Sequence, residues 1–229
     1  MKKLVFLLMV GILFSFFTSC NMDMYDDENS LNNAWVGFGL IHKDSVAESF
    51  TILMDDGEIL FPAKSAKFWN DFKNNDRVLT NFTILGNKDN LNHDEQYYVE
   101  INSLRKILYK GILDITPALE DSIGNEPILV KDKWMKNNMM NFELQYRGGS
   151  KIHYINLVKQ PGSVTDATGP VILELRHNTN GDTERIPLTA VVTFDMSALK
   201  IQGKNSTKFK VIAKGFEGNN FEYTGEYKY

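Results

Sequence analysis

The sequence predicts an all-β protein: a small closed barrel followed by an antiparallel β-sandwich. Three observations carry that expectation. Short runs with apolar residues at every second position recur from Trp35 to the C-terminus. Tight-turn pairs, among them Asp56-Gly57, Gly148-Gly149 and Asn180-Gly181, separate them. The body of the chain holds no long helical pattern, no fixed-period repeat and no heptad. With 229 residues, 43% of them hydrophobic, there is enough apolar material for real cores. A single cysteine excludes an intramolecular disulfide scaffold and a zinc ribbon.

The first element is an address. Lys2 and Lys3 precede an apolar run from Leu4 to Phe17, shorter than the roughly 20 residues a spanning helix needs. The run ends at Phe17-Thr18-Ser19-Cys20, small residues before the only cysteine. This resembles the relaxed lipobox of Bacteroidetes, and implies cleavage after residue 19 with lipidation of Cys20. Two or more acyl chains there would make a stable membrane anchor. Cleavage removes both lysines and takes the formal charge from −4 to −6. Residues 20–32 then read as an acidic tether, with Asp23, Asp26, Asp27 and Glu28 and little to bury. Acidic residues behind a lipidated cysteine resemble the surface-export signals of Bacteroidetes lipoproteins. The expected location is the outer membrane, on its periplasmic face or at the cell surface.

The barrel is expected over 33–114. Trp35 to Ile41 is an apolar strand broken by Gly37 and Gly39, hence bent, with Trp35 in the core. Ser49 to Met54 and Glu58 to Phe61 flank Asp55-Asp56-Gly57 as a hairpin that Pro62 ends. Ser65 can cap a short helix with Phe68, Trp69 and Phe72 facing inward. Arg77 to Leu85 alternates cleanly, Tyr97, Val99 and Ile101 form another face, and Leu104 to Ile112 reads as a last strand. Five or six such strands suit closure.

Residues 115–126 are the connection. Ile112, Leu113, Ile115, Leu119 and Ile123 are too apolar for a free linker, so the segment should pack within the interface of the two domains. The sandwich is expected over 127–229. Its strands centre on Ile128–Val130, Phe142–Tyr146, Ile152–Val158, Val171–His177, Leu188–Phe194, Phe209–Ala213 and Phe221–Tyr227. Each half-apolar sheet needs a second layer over it.

Taken in order, several stretches resemble the NigD-like lipoproteins of Bacteroidetes. They include Cys20 with its tether, Asp55-Asp56-Gly57, Asp76–Leu85, Tyr98–Leu104, Ser122–Ile128, His153–Val158, Leu175–Asn178 and Val192–Ser197. The resemblance implies an N-terminal OB-type domain and a C-terminal β-sandwich. It brings no catalytic residue to carry across.

Enzymatic chemistry finds no frame in the residues. Ser150 and Ser163 lack a nucleophile-elbow setting, and Cys20 is committed to lipid. His42, His93, His153 and His177 show no zinc spacing, although strand pairing could bring His153 and His177 together. No glycine-rich phosphate loop is present, so no cofactor is expected. Nucleic acid is not expected either, because residues 33–114 carry nine basic against twelve acidic side chains. The oxygen-rich alternation Asn178, Asn180, Asp182, Glu184 is a candidate calcium site, set against its reading as a solvated turn. Trp134 is the tryptophan with an exposed setting suited to stacking on a sugar. Asp44-Ser45-Val46 and Asp121-Ser122-Ile123 resemble Bacteroidetes O-glycosylation sites, making Ser45 and Ser122 candidate acceptors. The function expected is that of a non-enzymatic envelope lipoprotein, held to the membrane through Cys20. It would bind another envelope protein or a ligand; the alternative is a glycan- or calcium-binding surface module.

Overall fold

The computed structural model describes residues 34–64, 68–88, 95–164 and 169–229. Cys20 and the tether lie outside these residues. Strands β1 (Ala34–Asp44), β2 (Ser49–Met54), β3 (Ile59–Pro62), β4 (Arg77–Asn87) and β5 (Gln96–Lys106) close into a barrel in the order β1-β2-β3-β5-β4. Its core is Ile41, Ile52, Leu60, Val78 and Val99, with Phe50, Phe82 and Phe72 around them. Inward-facing Gly39 lets β1 approach β2: a Cβ there would sit 2.5 Å from Ile52 Cγ2 and 2.8 Å from the Leu53 carbonyl oxygen. The Asp-Asp-Gly hairpin forms where expected, with Gly57 at φ 103° and its N–H donated to the Met54 carbonyl. Residues 68–71 form a tight turn, not a regular helix, and still fold Phe68 and Trp69 over the barrel core. Ser65 lies outside the described residues.

The expected barrel segment runs too far. Barrel pairing ends at Lys106, and buried Ile107 donates its N–H to the Arg77 carbonyl at the exit. Strand β6 (Leu108–Gly111) then pairs in parallel with β12 (Ile186–Asp195), and β7 (Leu113–Asp114) pairs in parallel with β10 (Tyr154–Lys159). Both short strands thus belong to the sandwich sheets.

With β8 (Leu129–Lys136), β9 (Met139–Gly148), β11 (Val171–Asn178), β13 (Ser206–Ala213) and β14 (Phe221–Lys228), the sandwich has a four-stranded sheet, β6-β12-β9-β8. The facing sheet has five strands, β14-β13-β11-β10-β7. Phe142, Leu144 and Phe194 from one sheet meet Leu157, Leu173, Phe209 and Val211 from the other, all fully buried. Most pairs are antiparallel; β11 and β13 run parallel. Asn180 and Gly181 both take positive φ, 55° and 63°, as a two-residue hairpin turn requires.

The connection packs on the sandwich, not between the domains. Ile115 and Ile123 bury against Val158, and the one-turn helix α1 (Glu120–Ile123) lies over β10 and β11. Leu113 and Leu119 remain exposed. The domain joint is made by other residues. Phe38 stacks obliquely on Trp134, ring centroids 5.6 Å apart. Arg77, wholly buried, forms a two-pronged ion pair with Asp55 and reaches Asn141 Oδ1 at 3.4 Å. Thr193 donates to that same oxygen at 2.7 Å, while Asn141 Nδ2 donates to the Trp134 carbonyl.

Candidate functional site

At the far end of the sandwich, register assembles the densest cluster of chemistry-bearing side chains. Ile155 pairs with His177, which places His153 diagonally beside His177 on one face. His153 Nδ1 lies 2.8 Å from His177 Nε2. His153 Nε2 lies 3.1 Å from Asp182 Oδ2, and His177 Nδ1 lies 3.2 Å from the Pro127 carbonyl. Tyr146 from β9 closes over both imidazoles, with centroid distances of 4.8 and 5.0 Å. Gly148 makes room for the array, since a Cβ there would meet His153 Nε2 at 2.9 Å.

Asp182 ties its own turn to the 148–153 turn. Its Oδ2 accepts the Gly149 N–H at 2.6 Å, and its Oδ1 accepts the N–H groups of Thr183 and Ser150. The Gly149 hydrogen bond chiefly holds the carboxyl far below its usual range; desolvation opposes this, and His153, Thr183 and Ser150 reinforce it. Burial pushes His177 below the usual histidine value, against the pull of its bond to Pro127. Tyr146 is raised by burial.

The array resembles a proton relay, yet it is shut off. The side chains of His153 and Asp182 are 2% and 3% exposed, and His177 is 1% exposed. A zinc ion shared by two imidazoles would hold their nitrogens about 3.3 Å apart, farther than these two stand. Among the described residues no group of three or more His, Cys, Asp or Glu side chains is placed to hold a metal ion.

The residues singled out in the sequence fall as follows. Asp182 and Asn178 direct their side-chain oxygens at backbone N–H groups of their own turns, Asn178 Oδ1 to Asn180 N at 2.6 Å. Asn180 and Glu184 are exposed. The side chains of Asn178 and Asp182 are thus held by turn hydrogen bonds, and Asp182 has no oxygen left without a donor. Trp134 is half-buried against Phe38, so its ring is not a free platform; Trp35, expected in the core, is 58% exposed. Ser45 is exposed in the turn after β1, where Asp44 Oδ1 accepts from Val46 and Ala47. Ser122 is exposed on α1 and donates to the Leu119 carbonyl. Sequence reasoning missed the Arg77–Asp55 pair inside the barrel and its reach to Asn141 of the sandwich. The available signal was an arginine at the head of an otherwise apolar alternating strand.

A barrel of this topology joined to a two-sheet sandwich defines a two-domain all-β class, and sequence models agree. The model of the NigD-like N-terminal OB domain matches residues 38–107, and that of the NigD-like C-terminal beta sandwich domain matches residues 111–227. The chain belongs to the NigD-like family. Among solved structures it is similar to a protein described as toxin-related from Parabacteroides distasonis, at 26% identity and a TM-score of 0.69, covering 85% of this chain and 93% of that one. It is also similar to a NigD-like immunity protein from Bacteroides caccae, at 19% identity and a TM-score of 0.61, covering 85% and 96%. A third, described as a lipoprotein from Bacteroides fragilis, has 14% identity and a TM-score of 0.57, covering 86% and 98%. No curated protein matches the chain. No helix among the described residues is long and apolar enough to cross a membrane.

Proposed function

We propose that this is a non-enzymatic lipoprotein of the outer membrane, anchored through Cys20, that works by binding another envelope protein. The observation that carries the reading is the closure of the Asp182–His153–His177 array. The residues best suited to acid–base chemistry are walled in and bonded to their own fold, so their role is structural. The lipoprotein and immunity-protein descriptions of similar structures support an anchored, partner-directed protein. The anchor is tested by the intact mass of membrane-extracted protein, which should carry diacylglycerol and an acyl chain at Cys20. An unmodified Cys20 contradicts the anchor. The binding role is tested by cross-linking in intact native cells, then repeating the capture from the partner's side. A specific reciprocal cross-link is expected. A protein that yields none and turns over a substrate contradicts the role.

A glycan-binding reading has one observation in its favour, the exposed ring of Trp35. Oligosaccharide titrations monitored by tryptophan fluorescence should leave it unchanged in the reading preferred here.

A further inference from the structure

We infer that the His153–His177 pair holds one shared proton beyond the two that neutral imidazoles carry, forming a buried imidazolium that balances Asp182 and clasps three segments of the sandwich. The inference follows from counting hydrogens along the array. The Asp182 carboxylate accepts from three backbone N–H groups and is ionised, so the bond to His153 Nε2 needs its hydrogen on that nitrogen. The Pro127 carbonyl can only accept, so His177 Nδ1 also carries a hydrogen. Each ring, if neutral, has then used its only N–H. His153 Nδ1 and His177 Nε2 would face each other at 2.8 Å with two lone pairs and nothing between them. A hydrogen bond of that length needs a third proton on the pair.

The third proton belongs on His153, which then donates to Asp182 on one side and to His177 on the other. His177 stays neutral, as its burial favours. The groups facing the pair are Asp182 from the turn after β11, Glu126 from the connection and Tyr146 from β9. Lys151, from the 148–153 turn, donates to the carbonyls of Asn180 and Gly181 in the turn of Asp182. The clasp therefore joins the 148–153 turn, the Asn-Gly turn and the connection at Pro127. It is intact only while the pair holds one extra proton. Its loss sets lone pair against lone pair, and a second extra proton sets N–H against N–H.

The test is imidazole nitrogen NMR on the detergent-solubilised full chain at pH 7. His153 should show both nitrogens protonated and His177 only Nδ1. A His153 with a single protonated nitrogen overturns the inference. His177→Leu removes the inner acceptor, and the proton affinity of His153 should fall by about tenfold or more, the effect of losing a hydrogen bond to a charged group. An unchanged affinity would assign the proton to the Asp182–His153 pair alone and overturn the sharing.

Discussion

Two buried ionic networks sit at opposite ends of the sandwich, and they hold the molecule in different ways. At the barrel end, the Arg77 guanidinium is charged at every accessible pH, and its fork matches the Asp55 carboxylate with two parallel bonds. At the other end, the Asp182–His153–His177 array depends on where its protons are. The first network braces the barrel through Arg77 and Asp55 and reaches the sandwich through Asn141; the second joins turns of one domain. A permanent charge therefore serves the contact that spans both cores, and a titratable one serves a contact internal to the sandwich.

The largest expected effect breaks the first network. Arg77→Met leaves the part-buried Asp55 carboxylate without its partner and should cost about 3–5 kcal/mol, measured by urea unfolding. Arg77→Lys should recover only part, because an ammonium cannot make both bonds. A loss below about 1 kcal/mol would mean that the joint contributes no more than an exposed ion pair.

A local control inside the barrel sharpens the comparison. Gly39→Ala presses a methyl group against Ile52 and the Leu53 carbonyl, and overpacking of this kind costs about 1–3 kcal/mol. Thermal unfolding should report that loss equally in barrel and sandwich probes, without any change in the pH dependence of the array.

The second network should show itself through pH. Asp182 is held below its unfolded value, so its stabilisation is complete above the usual carboxylate range and is lost as pH falls through the lower folded value. His177 is also lowered; the unfolded chain binds its proton first, so stability falls as pH drops below the ordinary histidine value. Both contributions steepen acid unfolding. In Asp182→Asn, stability against pH should be flatter at the acid end, whereas in Arg77→Met the acid slope from the array should persist.

The smallest effect has the opposite sign. Burial, with Asp56 and Glu95 nearby, raises Glu58 at the barrel hairpin. A raised carboxyl stabilises at low pH and loses that contribution as pH rises through its folded value. Glu58→Gln should therefore unfold slightly later than the parent at pH 7 and equally at pH 3 in thermal melts.

Features built from neighbouring residues were legible in the sequence. Asp56-Gly57 and Asn180-Gly181 specify their turns through backbone conformation alone, and both form where expected. Alternation likewise marked β4, β11 and β12, because one face of each meets a core. What depended on distant partners was not legible. Residues 108–114 read as barrel because their pattern suits any half-buried strand, and only parallel pairing with β12 and β10 assigns them to the sandwich. Trp134 is half-buried because Phe38 covers it across the joint, a contact made between residues almost a hundred positions apart, and Trp35, expected in the core, is exposed. The histidine pair was visible as something strand pairing could bring about; its hydrogen bond required the β10–β11 register.

The most direct test of the account is amide hydrogen exchange in Arg77→Met beside the parent, read separately on barrel residues such as Ile41 and Val78 and sandwich residues such as Phe142 and Leu173. In the parent, both sets should open with one common free energy, because the buried joint makes barrel and sandwich a single cooperative unit. In Arg77→Met, the barrel amides should open at a lower free energy than those of the sandwich. Two different opening free energies already present in the parent, unchanged by the substitution, would contradict the claim that Arg77 couples the domains.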